Sequence, residues 1–404
     1  MRILKINIYI ILFTLLSFAL KSQSLCDSLP FINCNENSIS ARNNESIDLL
    51  IQKFQGLKTK KNNAVNIVHI GDSHLQAGFV TEKIKQNLFQ YYSEINDYTA
   101  PGFIFPYTIA QTNNPFFYKV NYTGNWEWCK NVDSEKTCKL GLSGITVRTK
   151  DSITSFSIKM QNEKYTYPHK YFFNKIKIFH NNESSIDIKV NDKKVISKGE
   201  FSLIQLDNLT DSVSFTININ DTSKFFELYG MILENDKSKI NYHTIGVNGS
   251  TAQSYLKCDY FSNQLEIINP DLIIVSLGTN EAYDENFSYL EYKYILRDLV
   301  LQIKSAVPNA SILLTTPNDH LKNKELNDNI LSVRNNIVDI CDEFELCSWD
   351  FHSIMGGEHS INQWYSKGLV GKDRLHFKRI GYKIQGELFT KALLDLIEKN
   401  ELKQ

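Results

Sequence analysis

Two rhythms of apolar residues divide the chain. In the first, near-continuous apolar runs stop at glycine or proline and are followed by helical stretches. Asn-Ile-Val-His-Ile at 66–70 stops at Gly71 and precedes a helical pattern from about Val80 to Tyr92. The run 272–277 stops at Gly278 and precedes a long amphipathic stretch from Tyr289 to Ala306. Ser311 to Thr316 stops at Pro317, with helix-like sequence from Glu325 to Phe344 beyond it. Strands apolar on both faces, alternating with helices, predict a parallel sheet covered on both sides.

The second rhythm has period two. Ile176 and Ile178 alternate with lysines, Ile186, Ile188 and Val190 with Asp187 and Lys189, and Val213, Phe215, Ile217 and Ile219 with Ser214, Thr216 and Asn218. Strands that turn polar residues outward, joined by Asn, Asp and Ser, predict an antiparallel β-sandwich from about Asn114 to Glu234. The expected layout is therefore an α/β domain in two parts, 25–113 and 235–404, with the sandwich at 114–234 inserted between them. At 404 residues the chain exceeds what one core usually covers, which fits two units.

Ahead of both lies Met-Arg-Ile-Leu-Lys, an apolar run from Ile6 to Leu20, then Lys-Ser-Gln-Ser. A basic start, a short apolar stretch and small residues predict a signal peptide over 1–24 and an exported protein, periplasmic or secreted. The run is shorter than the roughly 20 residues that span a bilayer, so no stable membrane insertion is expected once it is removed. Cys26 follows Gln-Ser-Leu, a poor lipid-attachment signal. Lys and Arg number 44 against 45 Asp and Glu, a balance that gives no reason to expect a nucleic-acid partner. Seven cysteines fit an oxidising compartment. Proximity suggests Cys26 with Cys34, Cys129 with Cys138 and Cys341 with Cys347, leaving Cys258, although several can equally be buried thiols. None has zinc-site spacing, so no metal is expected.

Four short blocks carry chemistry. Gly71-Asp72-Ser73-His74 stands where the first strand ends and a helix begins, the place where open α/β sheets bind ligands. A serine there has an exposed hydroxyl beside free backbone N–H groups, whereas helix capping by Asp72 or Ser73 is the plainer role. Gly246-Val247-Asn248-Gly249-Ser250-Thr251 lets the backbone approach a reacting group. Gly278-Thr279-Asn280-Glu281 ends another strand, and Asn280 offers a neutral N–H donor to a developing oxyanion. In Asp373-Arg374-Leu375-His376 the carboxylate sits three residues before an imidazole it can orient as a base.

Together these blocks resemble those of the SGNH hydrolases, with Glu281 where the third block usually ends in Asp. The inserted sandwich, the stretches 105–107 and 112–115, Trp126 and Leu228-Tyr229-Gly230-Met231 narrow the likeness to the peptidoglycan O-acetylesterases with an embedded carbohydrate-binding-like module. The resemblance implies a three-layer α/β/α fold. It also implies a triad of Ser73, Asp373 and His376, and an oxyanion hole of Ser73, Gly249 and Asn280. The implied reaction is removal of O-acetyl groups from a cell-envelope or extracellular glycan through an acyl-serine, without cofactor. A glycan O-acetyltransferase with the same triad and an inert carbohydrate-binding protein are the alternatives. His74, His320 and Trp364 are candidates for contact with the substrate, each equally able to be a packing residue. Trp126 and Trp128 could stack on sugar rings or fill the sandwich core.

Overall fold

The computed structural model describes residues 25–41, 45–58, 64–92, 98–162, 170–195, 199 and 201–399. The stretch 1–24, read as a signal peptide, lies outside the described residues. Strand Val65–Gly71 lies between Ile240–Gly246 on one side and Leu272–Ser276 on the other, followed by Ser311–Thr315 and Cys347–Trp349, all parallel. Ile39–Ser40 closes the edge antiparallel to Cys347–Trp349. Chain order reverses beside Val65–Gly71, so a crevice opens at its carboxyl end.

Alternation along the strands fills two apolar layers. Val65 and Ile67 pack with helices Glu45–Lys58, Phe79–Tyr92 and Arg379–Lys399. Val68 and Ile70 pack with Phe261–Ile268, Tyr289–Ala306 and Asn329–Phe344. The result is the expected α/β/α arrangement. The helix expected from Glu325 starts at Asn329, because Glu325–Leu326 pairs with Leu321–Lys322. No helix among the described residues is long and apolar enough to cross a membrane.

The period-two segment forms two antiparallel sheets. One runs from Lys193–Lys194 through Ile186–Val190, Ser212–Ile219 and Ile153–Met160 to Tyr118–Tyr122. The other contains Ser202–Thr210, Phe173–His180, Phe226–Glu234, Ile145–Thr149 and Glu127–Lys130. A further strand, Gly102–Ile104, pairs with Phe226–Glu234, so the sandwich recruits residues upstream of Asn114. Gly102 makes this possible: its φ is +82°, and a Cβ there would meet the Tyr242 carbonyl oxygen at 2.3 Å. The sandwich core is continuous with the apolar layer on the Ile70 side of the parallel sheet.

A buried ion pair fastens the two units. Lys85 and Glu82 of helix Phe79–Tyr92 lie 3.0 Å apart with side chains 1% exposed. The Lys85 ammonium donates to the Pro101 carbonyl and sits over the rings of Phe117 and Tyr171, while the Tyr171 hydroxyl donates to Glu82. Glu82→Ala would strand a buried ammonium, a change that typically costs about 3–5 kcal/mol. A urea-unfolding midpoint equal to that of the parent would refute this fastening.

Cys26–Cys34 and Cys129–Cys138 are disulfides. The third pairing suggested by proximity does not form: Cys341 and Cys347 are buried thiols, as is Cys258. The reason is the sheet itself, since Cys341 packs into one apolar layer and Cys347 into the other. The Cys341 thiol donates instead to the Cys347 carbonyl oxygen at 3.4 Å.

Candidate active site

Gly71, Gly246 and Ser276 are register partners across three adjacent strands, so the first three blocks leave the sheet at one level. Gly246 has to be glycine, because a Cβ would meet the Gln76 amide nitrogen at 2.6 Å and the Asp72 carbonyl oxygen at 2.9 Å. That contact sets the glycine block against the short helix Ser73–Gln76. Asp72 caps this helix, its Oδ1 accepting from the His74 amide at 2.9 Å, and Ser73 is the first helical residue. Asp72 therefore takes the capping role, which leaves the hydroxyl of the half-buried Ser73 free for other contacts. Burial pushes the Asp72 carboxyl up to about 7, against the amide bond from His74 and the attraction of His376.

The fourth block closes over the serine from a tight loop. The Gly371 amide donates to the His376 carbonyl at 2.8 Å, Val370 bridges Phe377, and Arg374 takes φ +50° to turn the chain between Asp373 and His376. Ser73 Oγ lies 3.0 Å from His376 Nε2, and His376 Nδ1 lies 2.8 Å from Asp373 Oδ2. Asp373 Oδ1 also accepts from the Leu375 and His376 amides, each at 3.2 Å. Partial burial pushes the Asp373 carboxyl up, but the bonds from the His376 ring and these two amides outweigh it and hold it below its ordinary value. The structure thus joins a hydroxyl, an imidazole and an ionised carboxylate in a single relay, the arrangement that lets serine attack a carbonyl.

Donors for an oxyanion lie on the same rim. The Ser73 and Gly249 amides donate to no acceptor among the described residues. Gly249 has φ +83°, a left-handed backbone that favours glycine, and a Cβ there would meet Val132 Cγ1 at 3.8 Å, an ordinary contact. Asn280 Nδ2 is engaged, donating to the Ser250 carbonyl at 2.9 Å and, more weakly, to Asp72 Oδ2 at 3.4 Å. The weaker of these two N–H bonds is the one a developing oxyanion can compete for. Glu281 does something else: its buried carboxylate accepts from Ala252 N at 2.8 Å and Gly278 N at 2.9 Å, tying the third block to the helix after the second. Burial pushes that carboxyl up to about 7.

Two candidates for substrate contact are corrected by burial. Trp364 is fully buried, stacked on Phe377 with its indole N–H donating to the Met355 carbonyl. His320 is also fully buried, its ring nitrogens 2.9 Å from the Asn318 carbonyl and 3.0 Å from Asn327 Nδ2. Neither has a face left for a ligand. The third, His74, is buried as well but stacks on the His376 ring. Of the two tryptophans considered for sugar stacking, Trp126 packs edge-on against Phe156 and Phe226, while Trp128 is 41% exposed.

Gln76 has a role the sequence reading missed. Buried behind the serine helix, it accepts from the Asn248 amide at 2.7 Å and donates to Thr112 and Asn113. The 105–113 segment adds a bond from the Tyr107 hydroxyl to the Gly246 carbonyl at 3.0 Å. The glycine block is therefore braced from two sides. A glutamine on the serine's own short helix, three residues after it, was the available signal.

Residues 214–384 match the GDSL-like Lipase/Acylhydrolase family. The match covers the glycine, asparagine and Asp-His blocks and begins inside the sandwich, downstream of Ser73. No curated protein matches the chain. Among solved structures, a peptidoglycan O-acetylesterase superposes with a TM-score of 0.74 at 22% identity, over 89% of this chain and 99% of its own. An acetylxylan esterase from Geobacillus stearothermophilus is 19% identical over 39% of this chain and 72% of its own, with a TM-score of 0.32. A lipase/acylhydrolase from Enterococcus faecalis is 18% identical over 39% and 76%, with a TM-score of 0.31.

Proposed function

We propose that this chain is an esterase of the GDSL-like lipase/acylhydrolase kind, that it is exported, and that it removes O-acetyl groups from a cell-envelope or extracellular glycan, with peptidoglycan the leading substrate. The observation that carries the catalytic reading is the unbroken relay from Ser73 Oγ through the His376 ring to Asp373. His376 takes the serine proton as Oγ attacks the ester carbonyl carbon. The carbonyl electrons move onto oxygen, toward the Ser73 and Gly249 amides and Asn280. Collapse breaks the bond to the sugar oxygen, which leaves with the proton from His376. Water, deprotonated by the same imidazole, then releases acetate and restores the serine.

Three observations support the finer parts of this reading. The two disulfides fit an oxidising compartment, as does the basic and apolar start of the chain. A sandwich docked on the hydrolase unit gives a second surface for a polymer. A solved structure that superposes over most of both chains is a peptidoglycan O-acetylesterase. The test is acetate release by the purified protein from O-acetylated peptidoglycan, acetylated xylan and a small acetyl ester. Fastest release from peptidoglycan is expected. Turnover of the small ester alone would remove the glycan assignment, and acetate from none of the three would remove the esterase reading.

A further inference from the structure

His376 is held at both nitrogens, yet those two hydrogen bonds leave one motion open. The lone pair and N–H of an imidazole point along the ring plane, so bonds at its two nitrogens still let the ring tilt about the line joining Nδ1 and Nε2. Water also competes for them, because the His376 and Asp373 side chains are 42% and 49% exposed. A third constraint must act on the ring's face.

His74 supplies that face. Its imidazole stacks on His376 with centroids 5.2 Å apart and planes inclined by 26°. Unlike the ring it supports, it is buried, 7% exposed, with Phe377 and Tyr382 edge-on around it. The Tyr382 hydroxyl meets His74 Nδ1 at 3.0 Å, fixing the plane from the terminal helix. His74 Nε2 is buried with no hydrogen-bond partner among the described residues. An imidazole kept in an apolar site with one nitrogen unpaired has a cost that a packing residue such as leucine would avoid.

We propose that His74 is a positioning residue for His376: its ring, oriented by Tyr382, blocks the tilt of the catalytic imidazole and keeps Nε2 aimed at Ser73. This rests on the serine-esterase reading above. Burial lowers the His74 pKa to about 3, so the supporting ring stays uncharged while His376 gains its proton and no second cation opposes that step.

The experiment compares His74→Ala, His74→Phe and Tyr382→Phe with the parent, using small-ester kinetics, the rate of Ser73 labelling by a fluorophosphonate, and thermal melting. Misplacing a catalytic group by about an ångström can cost about 100-fold, so His74→Ala is expected to lower kcat and the labelling rate about 10- to 100-fold, with KM little changed. His74→Phe, which restores a flat face without the Tyr382 bond, and Tyr382→Phe, which removes only that bond, should each recover to within a few-fold of the parent while staying below it. A parental labelling rate in His74→Ala overturns the proposal, as does an equal loss in His74→Ala and His74→Phe, which would place the effect in the nitrogen. If His74→Ala does not fold, a Tyr382→Phe protein that labels at the parental rate overturns it. Labelling of the parent without acetate release would count against the proposed substrate and leave this test intact.

Discussion

Ser73→Ala is expected to lower esterase turnover by about 10,000-fold or more, the loss typical when the nucleophile of a serine relay is removed. The fold should not register the change. Ser73 is the first residue of its helix, where alanine is well tolerated, and the cap belongs to Asp72, whose carboxylate holds the His74 amide without help from the serine hydroxyl. Melting should therefore stay close to that of the parent, while a fluorophosphonate that marks the parent on the peptide carrying Ser73 leaves the variant unmarked. Activity surviving at even a tenth of the parental rate would mean that the 3.0 Å contact with His376 is a packing accident and that the nucleophile lies elsewhere.

Much of this site is legible in the sequence because an open α/β sheet puts its chemistry where apolar runs stop. Gly71 and Gly278 end such runs, and the residues that follow each of them reach the crevice. The strand Ile240–Gly246 is harder to read, since Asn241, His243 and Thr244 interrupt its apolar residues. They stand on the edge strand of the parallel sheet, which lies beside Gly102–Ile104, another strand too short to announce itself. Contacts from far along the chain decide the rest. His320 looks like a cleft residue until Asn327 returns to bond its ring, and Trp364 until Phe377 stacks on it. The spacing of Cys341 and Cys347 resembles a disulfide pair, and only the sheet lying between their side chains separates them. Glu281 reads as a stand-in for aspartate, but its partner Ala252 belongs to a helix whose approach no local pattern encodes.

Asp373→Asn tests the far end of the relay with almost no change in shape. The amide oxygen can keep the bonds that Asp373 Oδ1 takes from Leu375 N and His376 N. Its NH2 then faces His376 Nδ1 in place of the carboxylate oxygen now 2.8 Å away. A donor there forces Nδ1 to accept, which moves the ring proton to Nε2, where it points at Ser73 and cannot be exchanged for the serine's own. Turnover should fall by about 1,000- to 10,000-fold; exchange with water at this half-exposed site favours the smaller figure. The pH profile supplies the control. With the Asp373 carboxyl held below its ordinary value, the carboxylate persists through neutral and mildly acidic solution. Any stabilisation it gives the fold is present above that ordinary value, near 4, and is lost only as pH falls below it. The ratio of parental to variant kcat/KM should therefore stay large throughout pH 6 to 8, since Asp373 keeps its charge across that range. A ratio under ten across that range would show that Asp373 neither orients nor supports the imidazole, and that His376 works without a third partner.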